Sequence, residues 1–264
     1  MLPTRPMISA RRPCTVPIMT PQRGIRISSA AIIRNMMEKP VLMPPGMCRD
    51  SVITFARGFG SGGKVIASKL AKDLGIHCYE NRILTLASQL SGLDENLFHE
   101  VNEKIRETSG ISSFLKGLPR SRNYIARNEK FVSDDKLFDY QSQIIRSLAE
   151  KESCVIVGKC ADYVLRDKPN VVSIYIEAPR DFCVQRTIEN MGVTEEVANA
   201  TIERTDKYRA DYYEYYTHGN YWTNPANYDM TLNSQRVGVD NCVKTIEQYL
   251  IIKGIITPEQ IKND

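Results

Sequence analysis

The chain has 264 residues, 42% of them hydrophobic, and a formal net charge of +4 at pH 7, a length that suits one folded domain with an appendage rather than two full domains. Seven scattered cysteines with no C-x-x-C pair, beside only three histidines, argue against a zinc site or disulfide framework, so no metal ligands are assigned and a reducing, cytoplasmic setting is expected. No apolar run reaches the ~18 residues of a transmembrane helix. The positive charge sits in residues 1–50, with eight Lys/Arg against two acids, while the remainder carries 27 Lys/Arg against 29 Asp/Glu, which gives no case for nucleic acid or a membrane as partner and leaves the oligomeric state open.

Residues 1–50 are rich in Pro, Arg and Met and lack a periodic apolar face. They are expected to form a disordered extension, or to reflect a start codon upstream of one at Met36, Met37 or Met47; prolines spoil the amphipathic helix that a targeting peptide would need. Residues 51–264 are expected to form the folded domain. "SVITFA" reads as a buried strand, "GKVIASKLAKDLG" as a helix closed by Gly75, and "IHCY" as a second short strand. Residues 81–150 read as mostly helical, with a mobile insertion around "SGISSFLKGLPRSRNY". "SCVIVG" predicts a strand, "CADYVLRD" a turn or two of helix, and "NVVSIYIEA" a longer strand between Pro169 and Pro179. Helices follow at about 180–191 and 194–216 with Gly192 between them, then a strand at "YDMTLN" and a long helix at "GVDNCVKTIEQYLIIKG". Strands alternating with amphipathic helices predict a layered α/β protein.

Gly58, Phe59, Gly60, Ser61, Gly62, Gly63 and Lys64 satisfy G-x-x-x-x-G-K between a predicted strand and a predicted helix. Glycines there let successive N–H groups converge on phosphate oxygens, the helix N-terminus adds partial positive charge and the lysine a full one. A flexible glycine turn with an accidental lysine is the rival, and strand, spacing and helix together weigh against it. Val65 stands where such loops carry the Ser or Thr that contacts phosphate-bound Mg²⁺. Either the metal is held by phosphates, water and another residue, or the site dispenses with it.

"ITFARGFGSGGKVIASKLAKDLGIHCYENRIL" resembles the opening of the cytidylate kinase-like family of P-loop nucleoside monophosphate kinases, whose members often lack Ser or Thr after the basic residue. The similarity continues through "LFDYQSQIIRSLAEKESCVIVGKCADYVLRDKPNVVSIYIEAP", "TDKYRADYYEYYT" and "NYDMTLN", covering about residues 51–252. It implies a three-layer P-loop NTPase fold with a parallel sheet, a helical insertion that binds the nucleoside monophosphate, and a lid. It implies ATP and Mg²⁺ as cofactors and transfer of the γ-phosphoryl to CMP or dCMP. Gly58, Gly60, Ser61, Gly62, Gly63, Lys64 and Val65 would form the ATP loop, and Arg186 matches the place of a lid arginine, catalytic together with Lys64. Arg180, at a helix start, is a weaker candidate for the same role.

Asp206 and Arg209 lie three apart on one helix face, the spacing of an ordinary ion pair. The resemblance implies instead an acceptor clamp, Asp206 toward ribose or base and Arg209 toward phosphate, with Arg204 assisting. "VIVGKCADYVL" resembles a strand and turn that in classical cytidylate kinases reads Asp-Gly-Arg-Asp; Gly158 is kept, Lys159 replaces arginine as an acceptor-binding charge, and Val157 and Cys160 replace the carboxylates. Those departures put the CMP preference and the Mg²⁺ arrangement in question. Cys160 reads as a bystander thiol, since no covalent step is needed. Glu80 and Arg82 follow the second strand, near where the fold tends to place its acceptor, or else are solvated helix-start charges. Gln141 matches a family glutamine of no assigned role. The tyrosines of "YRADYYEYYTHGNYW" either pack a core or stack on a base. The rivals to a nucleoside monophosphate kinase are a P-loop kinase for another small acceptor and a nucleotide-binding module without catalysis.

Overall fold

The computed structural model describes residues 51–92, Glu95 and residues 134–262. The expectations for the leader and for the insertion around residues 109–124 lie outside the described residues.

The core is a five-stranded sheet in the order β2-β3-β1-β4-β5, every neighbouring pair parallel. Its strands are β1 (Val52–Arg57), β2 (His77–Tyr79), β3 (Cys154–Val157), β4 (Val171–Glu177) and β5 (Met230–Asn233). The central position of β1 follows from its composition, because a parallel strand covered on both faces reads as a nearly continuous apolar run. Val52 lies opposite Cys154 on one side and Val171 on the other. The pleat then divides the side chains between two layers. Cys154 and Ile156 pack with Ile83, Leu84, Ile144 and Leu148, while Val155 and Val157 join Ile53, Phe55, Ile66, Leu70 and Ile246. A polar link runs through the sheet interior, where Thr54 Oγ1 donates to Ser173 Oγ at 3.0 Å.

Helix α1 (Gly63–Leu74) buries Ile66, Ala67, Leu70, Ala71 and Leu74, a stripe at helical spacing, and ends at Gly75, whose left-handed φ of 65° lets its N–H reach back to Ala71 and Lys72. The opposite layer holds α2 (Arg82–Ser91), α3 (Asp134–Lys151) and the short α4 (Ala161–Val164). After β4 come α5 (Arg180–Met191) and α6 (Glu195–Tyr216), the latter capped by Thr194 and carrying Glu195 and Glu196 in its first turn. The chain then forms β5, the single-turn α7 (Ser234–Val237), for which the sequence shows no periodic signal, and α8 (Val239–Ile252), which packs beside α1.

Since all strands are parallel, Arg57, Glu80, Gly158, Glu177 and Ser234 emerge at one edge of the sheet. In such sheets ligands bind outside the carboxyl ends of the strands. No helix among the described residues is long and apolar enough to cross a membrane.

Candidate active site

The glycine loop joins β1 to α1 at that edge. Gly60 and Gly62 have φ of 79° and 81°, and a Cβ at Gly60 would stand 2.6 Å from the carbonyl oxygen of Cys183, so close backbone approach as well as handedness demands glycine there. Ser61 is wholly buried: its Oγ donates to Gly58 O at 2.8 Å and accepts from the Gly63 N–H, while Ser234 Oγ donates to the Ser61 carbonyl at 2.5 Å. Its side chain therefore braces the turn from within and offers no hydroxyl to a ligand. The Gly58 N–H is taken by Ile176 O and the Phe59 N–H by Asp206 Oδ1 at 2.9 Å. Among the described residues nothing accepts from the amides of Gly60, Gly62, Lys64 and Val65. Unpaired N–H groups converging at a helix start are an anion receptor.

Two cations flank the loop. Lys64 closes it and pairs with Glu80 Oε2 at 2.6 Å. Arg186 crosses from α5, its Nη2 3.4 Å from where a Cβ on Gly62 would be, and its buried Nε lacks a hydrogen-bond partner. Val65 is half-exposed and supplies no oxygen. Arg180 donates to the side chain and carbonyl of Asn199, at 3.1 and 2.7 Å, and so clips α5 to α6.

Beside the loop lies a cleft of about 340 Å³ lined by Arg57, Glu80, Lys159, Asp162 and Arg209 on its polar side and by Tyr208, Tyr212 and Trp222 among its aromatic walls. Arg57 is not among the residues the glycine motif singles out, yet it is central. Its guanidinium donates to Glu80 Oε1 at 3.2 Å, and burial, reinforced by the Arg209 charge, lowers its pKa to about 10. The only sequence signal for it is an arginine closing an otherwise apolar strand. Arg209 Nη1 donates to the Arg57 carbonyl at 2.9 Å and to Asp206 Oδ1 at 3.1 Å. Burial lowers its pKa as well, with Asp206 acting in the opposite direction.

Gly158, Lys159 and Cys160 are three consecutive left-handed residues, with φ of 78°, 60° and 52°. A run of this kind costs backbone energy in its two non-glycine members. It turns Lys159 into the cleft, where burial and then the Arg57 charge lower its pKa to about 7. Burial pushes the Cys160 thiol well above its usual range, which keeps it protonated. Asp162, two residues on, is held by the Tyr213 hydroxyl at 2.7 Å, and burial raises its pKa.

The remaining expectations divide by place. Arg209 and Lys159 meet in the cleft with Glu80, whereas Arg204 is exposed on α6 and Asp206 is not part of the lining. Gln141 is buried behind the wall, 3.5 Å from the Tyr212 hydroxyl. Phe138 stacks on Tyr216 at 3.9 Å and Tyr175 on Tyr228 at 5.2 Å, so the aromatic segment builds a core whose inner surface is also the cleft wall.

The profile of the cytidylate kinase-like family matches residues 52–236. Among solved structures the chain is similar to an uncharacterized protein from Eubacterium ventriosum ATCC 27560, at 28% identity and a TM-score of 0.55, over 76% of this chain and 98% of that one. Shikimate kinase from Bacteroides thetaiotaomicron matches at 11% identity and a TM-score of 0.45, over 76% and 98% of the two chains. Shikimate kinase from Acinetobacter baumannii in complex with shikimate matches at 14% and 0.41, over 77% and 94%. No curated protein matches the sequence. With a family match across most of its length, the chain belongs to the cytidylate kinase-like family.

Proposed function

We propose that the protein transfers the γ-phosphoryl group of ATP to a nucleoside monophosphate, CMP or dCMP by its family membership. The observation that carries this reading is the cleft beside the glycine loop, where Arg57, Lys159 and Arg209 face aromatic walls. Three cations suit a phosphate monoester, and Tyr208, Tyr212 and Trp222 offer surface for a planar base. The loop amides and Lys64 would bind the ATP phosphates, and Arg186 would stabilise charge on the phosphoryl group in flight. The acceptor phosphate is ionised at neutral pH, so no general base is needed.

Mg²⁺, when bound, would neutralise phosphate charge. Such an ion can be kept largely by phosphates and water with a single carboxylate. Glu80, paired with Lys64 at 2.6 Å, is the carboxylate that would hold it.

Asp162 favours a second reading. A buried carboxyl of raised pKa in the cleft suits a base for an alcohol acceptor. Coupled ADP release measured across nucleoside monophosphates and across polyols and hydroxy acids separates the two. Turnover confined to monophosphates supports the first, turnover confined to alcohols the second, and ATP binding with no transfer to any acceptor overturns both.

A further inference from the structure

Asp206 belongs to the helix that supplies Thr205, Tyr208 and Arg209 to the cleft, but it is not one of the lining residues. Its Oδ1 accepts the Phe59 N–H at 2.9 Å across 147 positions of sequence, and the same oxygen accepts Arg209 Nη1 at 3.1 Å. The neighbouring loop amides of Gly58, Ser61 and Gly63 find their partners in the sheet or within the loop. Phe59 alone among them is held from α6.

Everything around that bond joins the loop to the α5–α6 pair. Phe59 packs against the cluster formed by Ala178, Cys183, Val184, Ala198 and Ile202, and the Arg209 guanidinium lies 5.8 Å above its ring. The Cys183 carbonyl fills the space a side chain at Gly60 would need, and Arg186, one turn on in α5, rests over Gly62. Where Arg186 stands therefore depends on how the helical pair is seated on the loop. Asp206 gives the seat its charged hydrogen bond to a loop amide, while Arg209 bonds the carbonyl of Arg57, where β1 ends and the loop begins.

We propose that Asp206 is a positioning residue of the nucleotide loop rather than a reader of the acceptor: by holding the Phe59 N–H it seats the α5–α6 pair on the loop and sets Arg186 over Gly62. This rests on the reading of the loop as an ATP site. The physical case is that a part-buried amide stripped of its acceptor costs more than the bond itself is worth, so the loop would move to satisfy it.

The test is binding of the non-hydrolysable analogue AMP-PNP, with Mg²⁺ and without acceptor, to the full chain and two variants. Asp206→Ala removes the acceptor atom and should weaken binding about tenfold, whereas Asp206→Asn keeps an oxygen for the N–H and should stay within about threefold of wild type. Both should leave the ratio of kcat/KM for CMP over UMP unchanged. A shifted ratio with unaltered AMP-PNP affinity in both variants overturns the inference and leaves the proposed function standing. A wild-type protein that does not bind AMP-PNP overturns both. Amide exchange at Phe59 in the wild type decides the matter even where the alanine variant does not fold: a protected Phe59 N–H is required, and exchange at the rate of an open loop amide refutes the seat.

Discussion

The ammonium of Lys64 sits 2.6 Å from one carboxylate oxygen of Glu80, whose other oxygen takes the Arg57 guanidinium at 3.2 Å. One carboxylate thus ties the lysine of the glycine loop to a cation of the neighbouring cleft. In the proposed ATP site, polyphosphate would have to draw Lys64 away from Glu80 to use it. Glu80→Gln should accordingly raise the affinity for ATP measured without divalent ions, by no more than about fivefold, since the lysine is largely solvated and such pairs are weak. Isothermal titration in chelator reads the change directly; equal or weaker affinity would mean the pair does not restrain the lysine.

Lys64→Ala should reduce phosphoryl transfer by at least about a hundredfold, because it takes a full charge from a preorganised anion site. The melting temperature should stay near that of wild type, as the side chain is 65% exposed and surface changes of this kind alter stability little. Retained turnover in the folded variant would remove the loop from the reaction.

Arg209→Ala should lower kcat/KM for the acceptor by about 2 kcal/mol, the scale of a lost charge-assisted bond. ATP affinity without acceptor should barely move, because Asp206 keeps its bond to Phe59. Equal losses for both substrates would make Arg209 a brace of the loop instead.

Lys159 should give the cleft a pH response near neutrality. Its pKa of about 7 lies below that of a free lysine, so the folded protein sheds a proton that the unfolded chain retains. Folding stability should therefore rise with pH from about 7 toward the ordinary lysine range, and the penalty for burying the charge should be full below it. Acceptor binding should run the other way, weakening as pH climbs through about 7 and the charge is lost, unless bound phosphate raises the pKa first. KM for the acceptor, followed from pH 6 to 9 in wild type and Lys159→Met, tests this: the variant should bind more weakly at low pH and lose the lysine-linked slope.

Val65→Thr places a hydroxyl at the start of α1, on a side chain 49% exposed. If the ion bound with the phosphates lies within reach, the Mg²⁺ concentration for half-maximal activity should fall severalfold, with little change in stability because the swap is at the surface. An unchanged Mg²⁺ requirement would place the ion elsewhere.

Much of this architecture is written locally in the chain. The run "VITFA", the stripe from Ile66 to Leu74 and the stops at Gly75 and Gly192 depend on periodicity and backbone freedom, which a short window of sequence contains. The same holds for the spacing from Gly58 to Lys64. The insertion and leader expected from residues outside the described range have no counterpart to set beside them.

Tertiary packing decided what each site residue touches. Asp206 and Arg209 are visible as a pair in sequence, but only the seating of α6 on the loop turns one toward Phe59 and brings the other into the cleft. Ser61 looks like a phosphate ligand by position, yet Ser234, arriving from beyond β5, takes its carbonyl and fixes it inward. Arg57 carries no motif and Glu80 only a position after the second strand, since their meeting with Lys64 and Lys159 requires three parallel strands to end at one edge. Local pattern specifies elements because it acts through the backbone and one solvent boundary; the partners of a charge are set by elements far apart in sequence, whose packing no single segment encodes.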